Sequence, residues 1–438
     1  MTEVDGAPRE RFQPLLFFYF LLFTNSFYSA FGSFQNGKLA VKSGESALYQ
    51  LIYIAAYALL AFKLIEHWRL VLNKFISSIE LIMLLQIGVL AYVVVNPEIV
   101  SIQRYGMYIG TILLALYISI KYDSTDVFFT FFVASGFILV IHFASYPFLS
   151  SKIVYDDSVD RMTIVGTTSY AGFFGHKNGA AAVFAFFATV SFPRCFRNKG
   201  QWAARLICTG SLVATLLTGG VGPLIGLILA SIGISELWIW NSRPKSAALL
   251  SALALAYAAL ALYLTGIDQL LGLFGRSADL TGRDAIFELW PRFFMEHPFF
   301  GWGFNGFFNG QPGAPALRLS PYLLSYQQFG TFESGYLEIL SQFGALGGLA
   351  YFFIALKTLS NALYFSRQAF ECRYVPMMIL LNILFLTISQ SSIMIQNSPE
   401  PLLFFWIYFG CGMRPPIPRA VQAPAIGNYS RSQFQSRG

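Results

Sequence analysis

The sequence predicts an all-α polytopic membrane protein with about twelve transmembrane helices and one long, partly helical outer loop. Of its 438 residues, 55% are hydrophobic and only 12% are charged, and the mean hydropathy is +0.57. Soluble domains carry about 25% charged residues. Apolar runs close to twenty residues long recur along almost the whole chain, and each can cross a hydrocarbon core of about 30 Å.

The apolar runs define the predicted spans. No small-residue cleavage site follows the first run, so we interpret it as a span and not as a removed signal peptide. A Gly/Pro break, TGGVGP, separates the seventh and eighth spans and fits either a tight turn or a re-entrant bend. The predicted spans are 13–32, 46–64, 76–95, 105–120, 127–148, 170–192, 203–219, 222–240, 247–266, 334–356, 374–394 and 400–413.

The distribution of basic residues predicts the orientation of these spans. With both termini in the cytoplasm, 19 of the 29 Lys and Arg residues fall on the inner side, as the positive-inside rule requires. The net charge of +7 is therefore explained by topology, and we expect no nucleic-acid partner. The four cysteines are scattered and predict neither a disulfide framework nor a metal site.

The spans and loops divide the chain into five regions. Residues 267–333 form the only large loop, and loops of this length are usually functional or disordered. Two stretches of the loop are amphipathic, and in the first one Ile286, Leu289, Trp290 and Phe293 fall at helical spacing. We expect a partly helical cap on the outer membrane face. The predicted regions are an N-terminal cytoplasmic segment 1–12, helices 1–9 in 13–266, the loop 267–333, helices 10–12 in 334–413 and a disordered cytoplasmic tail 414–438.

Three polar constellations lie on the outer side of this map. His176, Lys177 and Asn178 interrupt an apolar run, where charge costs about 2.5–3.5 kcal/mol per residue. In one interpretation Lys177 extends to the headgroups and His176 hydrogen-bonds a neighbouring helix. In the other, the three residues form an anion-attracting pocket.

The second constellation is TGRDAIFELWPRFFMEHPFFGWGFNGFF, residues 281–308. It fits a structural cap helix followed by a Gly/aromatic turn that contains Gly301 and Gly303. It also fits a phosphate site, because the guanidinium of Arg283 is always charged and can bind phosphate oxygens through two hydrogen bonds.

The third constellation is FESGYLEILSQFGALGG, residues 332–348. Glu333 lies where the long loop enters the tenth span, a position at which a carboxylate is often only a partner of the helix dipole. Glu338 lies five residues further on, inside an apolar run, and needs a partner there. Asp156, Asp157 and Asp160 match no calcium-loop spacing, so we expect no metal.

Together, FFGHKNG, TGRDAIFELW…HPFFGWGFNGF and ESGYLEILSQFGALG resemble the O-antigen ligase/polymerase (Wzy/WaaL-like) family in order and spacing, and in particular its rhizobial-type exopolysaccharide polymerases. The resemblance implies a membrane glycosyltransferase of GT-C-like architecture in the bacterial inner membrane, with its active site facing the periplasm. It implies donor and acceptor oligosaccharides linked to undecaprenyl diphosphate, no cofactor or metal, and a chain-length regulator and a flippase as partners.

The resemblance also implies roles for individual residues. His176, Lys177 and Asn178 match the family's His-Lys-Asn element, Arg283 matches its Gly-Arg element, and the glycine turn matches as well. Two positions depart from the pattern: Ala171 stands where many members carry an Arg, and Glu333-Ser334 replaces a His-Asn pair. The implied catalytic base is Glu333, with His176 as the alternative. The implied diphosphate ligands are Arg283, Arg161 and Lys177, and the supporting residues are Asn178, Glu338, Gly301 and Gly303.

Three functions therefore compete. Glu333-Ser334 and ESGYLEIL favour a polysaccharide polymerase over an O-antigen ligase that transfers polymer to lipid A core. A transporter or flippase of lipid-linked sugars would instead show a polar pathway at the membrane midplane and often inverted repeats. Here the polar candidates lie at one face, beside the long loop.

Overall fold

The computed structural model describes most of the helical bundle and part of the candidate site. The described residues are 10–24, 47–95, 99–149, 174, 177–196, 201–242, 283–308, 315–316, 332, 334–368, 372–390, 392–395 and 397–411. Within these ranges every regular element is helical. The predicted ninth span at 247–266 and the tail 414–438 lie outside them.

Thirteen α-helices are described in this part of the chain. Two short 3-10 helices are also described, at Phe192–Phe196 and at Ser392–Met394. The helices are α1 Pro14–Phe23, α2 Ala47–Glu66, α3 Trp68–Ile76, α4 Ile79–Val95, α5 Ile99–Lys121, α6 Ser124–Leu149, α7 Lys177–Ser191, α8 Gln201–Thr218, α9 Val221–Ser242, α10 Arg283–Glu296, α11 Gly335–Ser366, α12 Val375–Ser389 and α13 Pro399–Tyr408.

The length and composition of these helices agree with a membrane protein. Among the described residues, three helices are long and apolar enough to span a bilayer: Ser124–Ala144, Asn178–Phe196 and Gly335–Ser366. Leu51–Glu66 and Trp68–Ile76, bent by 91°, can form a fourth as one broken span. Shorter apolar helices fill the rest of the bundle. The prediction of twelve spans stays a prediction.

The core is an apolar and strongly aromatic bundle. α7 packs most closely on α8, α9 on α12, and α11 on α4. Small side chains on the facing surfaces of α7 and α8 allow their backbones to approach, as is typical of helix pairs in membranes. The break between α8 and α9 is a tight turn at Gly219, whose φ of +67° favours glycine. TGGVGP therefore forms a tight turn between these two helices.

One ion pair stabilises the end of the bundle at which the chain enters α1. The guanidinium of Arg194 donates two hydrogen bonds to the carboxylate of Glu10, at 2.7 and 3.1 Å, and lies over the rings of Phe129 and Phe132. Arg194 is 5% exposed. This pair ties the segment before α1 to the end of α7.

Candidate functional site

A break in α11 is the centre of the described part of the site. Gly344 has φ +65° and ψ −169°, a conformation that is accessible almost only to glycine. A break inside an apolar helix leaves backbone N–H and C=O groups without their helical partners, which is costly where water is absent. The sequence did not predict it, since residues 334–356 appear as one continuous apolar run.

The turn after α10 fills this break. Backbone groups on both sides of Gly344 exchange hydrogen bonds with residues 298–303. The exchanged bonds are Trp302 N to Ser341 O at 2.7 Å, Gly303 N to Gln342 O at 3.0 Å, Ala345 N to Pro298 O at 2.7 Å and Leu346 N to Phe299 O at 3.3 Å. The Gly/aromatic turn of the outer loop is therefore part of the helical bundle.

Gly301 and Gly303 shape that turn, as the sequence predicted. Their φ angles are +70° and +80°, so both lie in the left-handed region. A Cβ on Gly301 would meet the backbone of α11 at 2.6 Å. These glycines are needed both for their backbone conformation and for the close approach of two backbones.

A side-chain bond fixes α10 against α11. The indole Nε1–H of Trp290 donates to Ser341 Oγ at 2.7 Å. Phe287 of α10 and Leu337 of α11 also pack against the same small aromatic cluster. Arg283 begins α10 seven residues before Trp290, and Gly335 begins α11 six residues before Ser341. At 1.5 Å per residue, each helix begins about 10 Å along its own axis from the Trp290–Ser341 bond.

Glu338 is a buried carboxylate at the start of α11. It is 4% exposed, its Oε2 accepts the backbone N–H of Phe332 at 3.0 Å, and its Oε1 accepts the Gln342 amide Nε2–H at 2.7 Å. The backbone N–H of Glu338 donates to Ser334 O at 2.9 Å. Phe332 and Ser334 are the two neighbours of Glu333 in the chain, so Glu338 holds the residues on both sides of the candidate base.

Further contacts hold the same segment. The ring of Phe332 packs on Phe307 at 4.6 Å and on Phe308 at 4.7 Å between ring centroids, in a small cluster separate from the main core. At the other flank the N–H of Gly335 donates to Gln390 O at 3.0 Å, beyond the end of α12. The entry into α11 is thus attached both to the outer loop and to α12.

The remaining candidates are placed less completely. Arg283 is the first residue of α10 and Lys177 the first of α7; the structure describes their backbones and not their side chains. Asn178 is described and half-buried in the first turn of α7. The predicted residues His176, Arg161 and Glu333 lie outside the described ranges, so their roles stay predictions.

Three residues of this arrangement were missed from the sequence. Gln342 follows Glu338 at the i, i+4 spacing at which helical side chains meet, so this pairing could have been found. Ser341 and Gly344 gave no such signal, because their partners are a distant indole and a distant backbone turn.

The fold and the composition define the class: the chain is a multi-pass helical membrane protein. Within that class, residues 206–352 match the family model described as "O-Antigen ligase". The predicted resemblance is thus confirmed. The matched region contains the Gly-Arg element, the glycine turn and the start of α11, whereas His176 and Lys177 precede it.

A curated protein is similar to part of this chain. The "Exopolysaccharide production protein ExoQ" of Rhizobium meliloti (strain 1021) is 27% identical over 199 residues. The alignment covers 42% of this chain and 44% of ExoQ, so the chain spans less than half of the length of the relative that it matches.

Proposed function

We propose that the protein is a polysaccharide polymerase. It would join oligosaccharide repeats linked to undecaprenyl diphosphate into exopolysaccharide or O-antigen at the periplasmic face of the bacterial inner membrane, with both termini in the cytoplasm. The match to the O-antigen ligase family and the similarity to an exopolysaccharide production protein support this proposal.

One observation carries the assignment of the site. The Trp290–Ser341 bond holds α10 against the start of α11, and Arg283 begins α10 just as the chain around Glu333 leads into α11. A cation for the diphosphate and a base for the acceptor hydroxyl must act within one reaction centre. This helix arrangement supports such a centre, although the two residues are separated by fifty positions in the chain.

The chemistry requires stabilisation of a departing diphosphate. Fixed cations can stabilise the charge that develops on the leaving group, and their effect is large in a site from which water is excluded. Arg283, with Arg161 or Lys177, would bind the diphosphate oxygens. The N-termini of α7 and α10, at which Lys177 and Arg283 lie, add partial positive charge in the same sense.

The second requirement is a base that removes the proton from the acceptor hydroxyl. Glu333 is the preferred candidate and His176 the alternative. Direct attack of this hydroxyl on the anomeric carbon, from the side opposite to the diphosphate, would invert that centre. Glu338 and Gln342 would act on the base indirectly, by fixing the backbone of its neighbours.

A ligase is the second candidate, because the matched family is described as O-Antigen ligase. It would use the same donor site with lipid A core as acceptor. Glu333-Ser334 favours the polymerase, since many ligases of the family that this chain resembles carry a His-Asn pair at these two positions.

A deletion strain separates the two candidates. Loss of a polymerase leaves carrier-linked single repeats, whereas loss of a ligase leaves finished polymer on the carrier. In a second arm, purified protein is mixed with lipid-linked repeat and chain growth is followed by gel electrophoresis. Accumulated single repeats and growth in vitro are expected. Finished polymer in the deletion strain would establish the ligase, and absence of growth by an intact protein would contradict the polymerase.

A further inference from the structure

A cavity of about 400 Å³ lies between α7, α8, α9 and α12, toward the end of α7 that is remote from Lys177 and Asn178. Ala188 of α7, Cys208 of α8 and Met378 of α12 line it. Among the described residues assigned to the proposed reaction, none lines it, and about 15 Å of helix separates Asn178 from Ala188.

The shape of the cavity fits a single hydrocarbon chain. It follows one face of α9 from Leu224 to Glu236, a length of about 18 Å at 1.5 Å per residue. The volume divided by this length gives a mean width of about 5 Å, and nonbonded carbon atoms pack at about 3.5–4.0 Å. A single chain therefore has room along this cavity.

The cavity is apolar along its length and polar at one end. Leu212, Leu224 and Leu227 form apolar walls, and the side chains at its mouth, Ile228 and Ile232, are 48% and 37% exposed. Apolar side chains exposed on a membrane bundle contact lipid chains. A lipid chain is therefore the occupant that fits these walls.

The polar end of the cavity has an acidic lining and a basic side chain close by. Ser235 and Glu236, toward the C-terminal end of α9, line it. Arg205 is outside the described lining, and it lies on α8 one turn before Cys208, which belongs to the lining. The Arg205 guanidinium donates to Cys195 O at 3.3 Å and to Gln201 Oε1 at 3.1 Å, which leaves further N–H donors for a phosphate.

An exposed aromatic side chain marks this end as a membrane interface. Trp202 is 71% exposed, and the Arg205 guanidinium lies over its ring at 5.5 Å. Tryptophan and arginine are typical of the level of the lipid headgroups. The headgroup of a lipid seated in the cavity would thus lie beside Arg205 and Glu236.

We propose that this cavity is a phospholipid site, in which one acyl chain lies along α9 while the headgroup phosphate binds Arg205. The carboxylate of Glu236 at the same end favours a headgroup that also carries an ammonium, such as phosphatidylethanolamine, over an anionic phosphatidylglycerol. The proposal is independent of the proposed function, since Lys177 and Asn178 lie at the opposite end of α7.

The test counts lipids that remain bound to the purified full-length protein in native mass spectrometry, after delipidation in detergent and addition of one lipid at a time. The lipids are phosphatidylethanolamine, phosphatidylglycerol and undecaprenyl phosphate. Arg205→Gln should lower retention of phosphatidylethanolamine about tenfold, because hydrogen bonds to charged groups contribute that much. Ser235→Phe should lower it by filling the cavity.

Arg69→Gln is the matched control, since Arg69 lies over the exposed Trp68 at 5.5 Å as Arg205 lies over Trp202. Leu229→Trp, on an exposed part of α9 outside the cavity lining, controls for bulk. Full retention by both controls supports the site. Equal retention by all variants, equal loss from all of them, or preferred binding of phosphatidylglycerol or undecaprenyl phosphate would overturn it. The thermal midpoint of each variant identifies any that has not folded.

Discussion

Gly301 and Gly344 face each other backbone to backbone: a Cβ on Gly301 would lie 2.6 Å from the backbone nitrogen of Gly344. Each also has a positive φ, +70° and +65°. The two glycines therefore join the long loop to the broken helix α11. Neither glycine can be replaced by a larger residue without displacing the backbone of the other segment.

Replacing either glycine by alanine should disrupt this junction. We expect Gly301→Ala and Gly344→Ala each to destabilise the protein by at least about 1–3 kcal/mol, the cost of a strained backbone conformation alone. Thermal unfolding in detergent measures the loss. Gly106→Ala in α5 is the control, because open space surrounds that position and alanine favours helix. A midpoint unchanged in Gly301→Ala would show that the junction is not rigid.

Hydropathy predicted the positions of the described helices well. The predicted spans 203–219 and 222–240 correspond to α8, Gln201–Thr218, and α9, Val221–Ser242. A window average over side chains contains no information about backbone breaks, and for this reason the break at Gly344 was not predicted. The number and orientation of the spans stay predictions.

The candidate site was predictable only in part, for a similar reason. Gly301 and Gly303 were identified because a glycine-rich turn has a local signature. The bond between Trp290 and Ser341 joins residues 51 positions apart, and no local pattern encodes such a pair. The packing of α10 against α11 could therefore be found only from the structure.

Removing the carboxylate of Glu338 should free the chain that enters α11. Glu338→Ala leaves the Phe332 N–H and the Gln342 amide without their acceptor, at a cost of about 1–3 kcal/mol for each buried group. We expect lower stability and a reduced polymer yield per molecule of protein. Glu338→Gln keeps one acceptor oxygen and should retain an intermediate yield. Yields that are equal in both variants and in the wild type would contradict the positioning role.

The buried pair of Arg194 and Glu10 should contribute more to stability than an exposed pair. Arg194→Leu removes the ion-pair partner of Glu10, and loss of one partner of a buried ion pair costs about 3–5 kcal/mol. Since part of Glu10 remains exposed, we expect the lower end of this range. Glu66→Gln breaks the exposed pair with Lys63 and should cost less than about 1 kcal/mol. Thermal midpoints of the two variants give the comparison.

Arg283 should be required for its charge and for its planar shape. If it binds the diphosphate through two hydrogen bonds, Arg283→Ala should abolish polymer in a deletion strain, and Arg283→Lys should restore only a small part, because an ammonium lacks the fork of the guanidinium. Arg292→Lys, at an exposed position of the same helix α10, is the control. Full-length polymer from Arg283→Ala at normal protein level would remove Arg283 from the site.

Replacing the candidate base should block chain growth without blocking delivery of the donor. Glu333→Gln keeps the size of the side chain and removes its capacity to accept a proton, so carrier-linked single repeats should accumulate while the protein level stays normal. His176→Gln tests the alternative base in the same strain. Lipid extracts resolved by mass spectrometry report the single repeats, and gel electrophoresis reports the polymer. If Glu333→Gln makes normal polymer and His176→Gln does not, the base is His176. Glu333 is then only a partner of the α11 dipole.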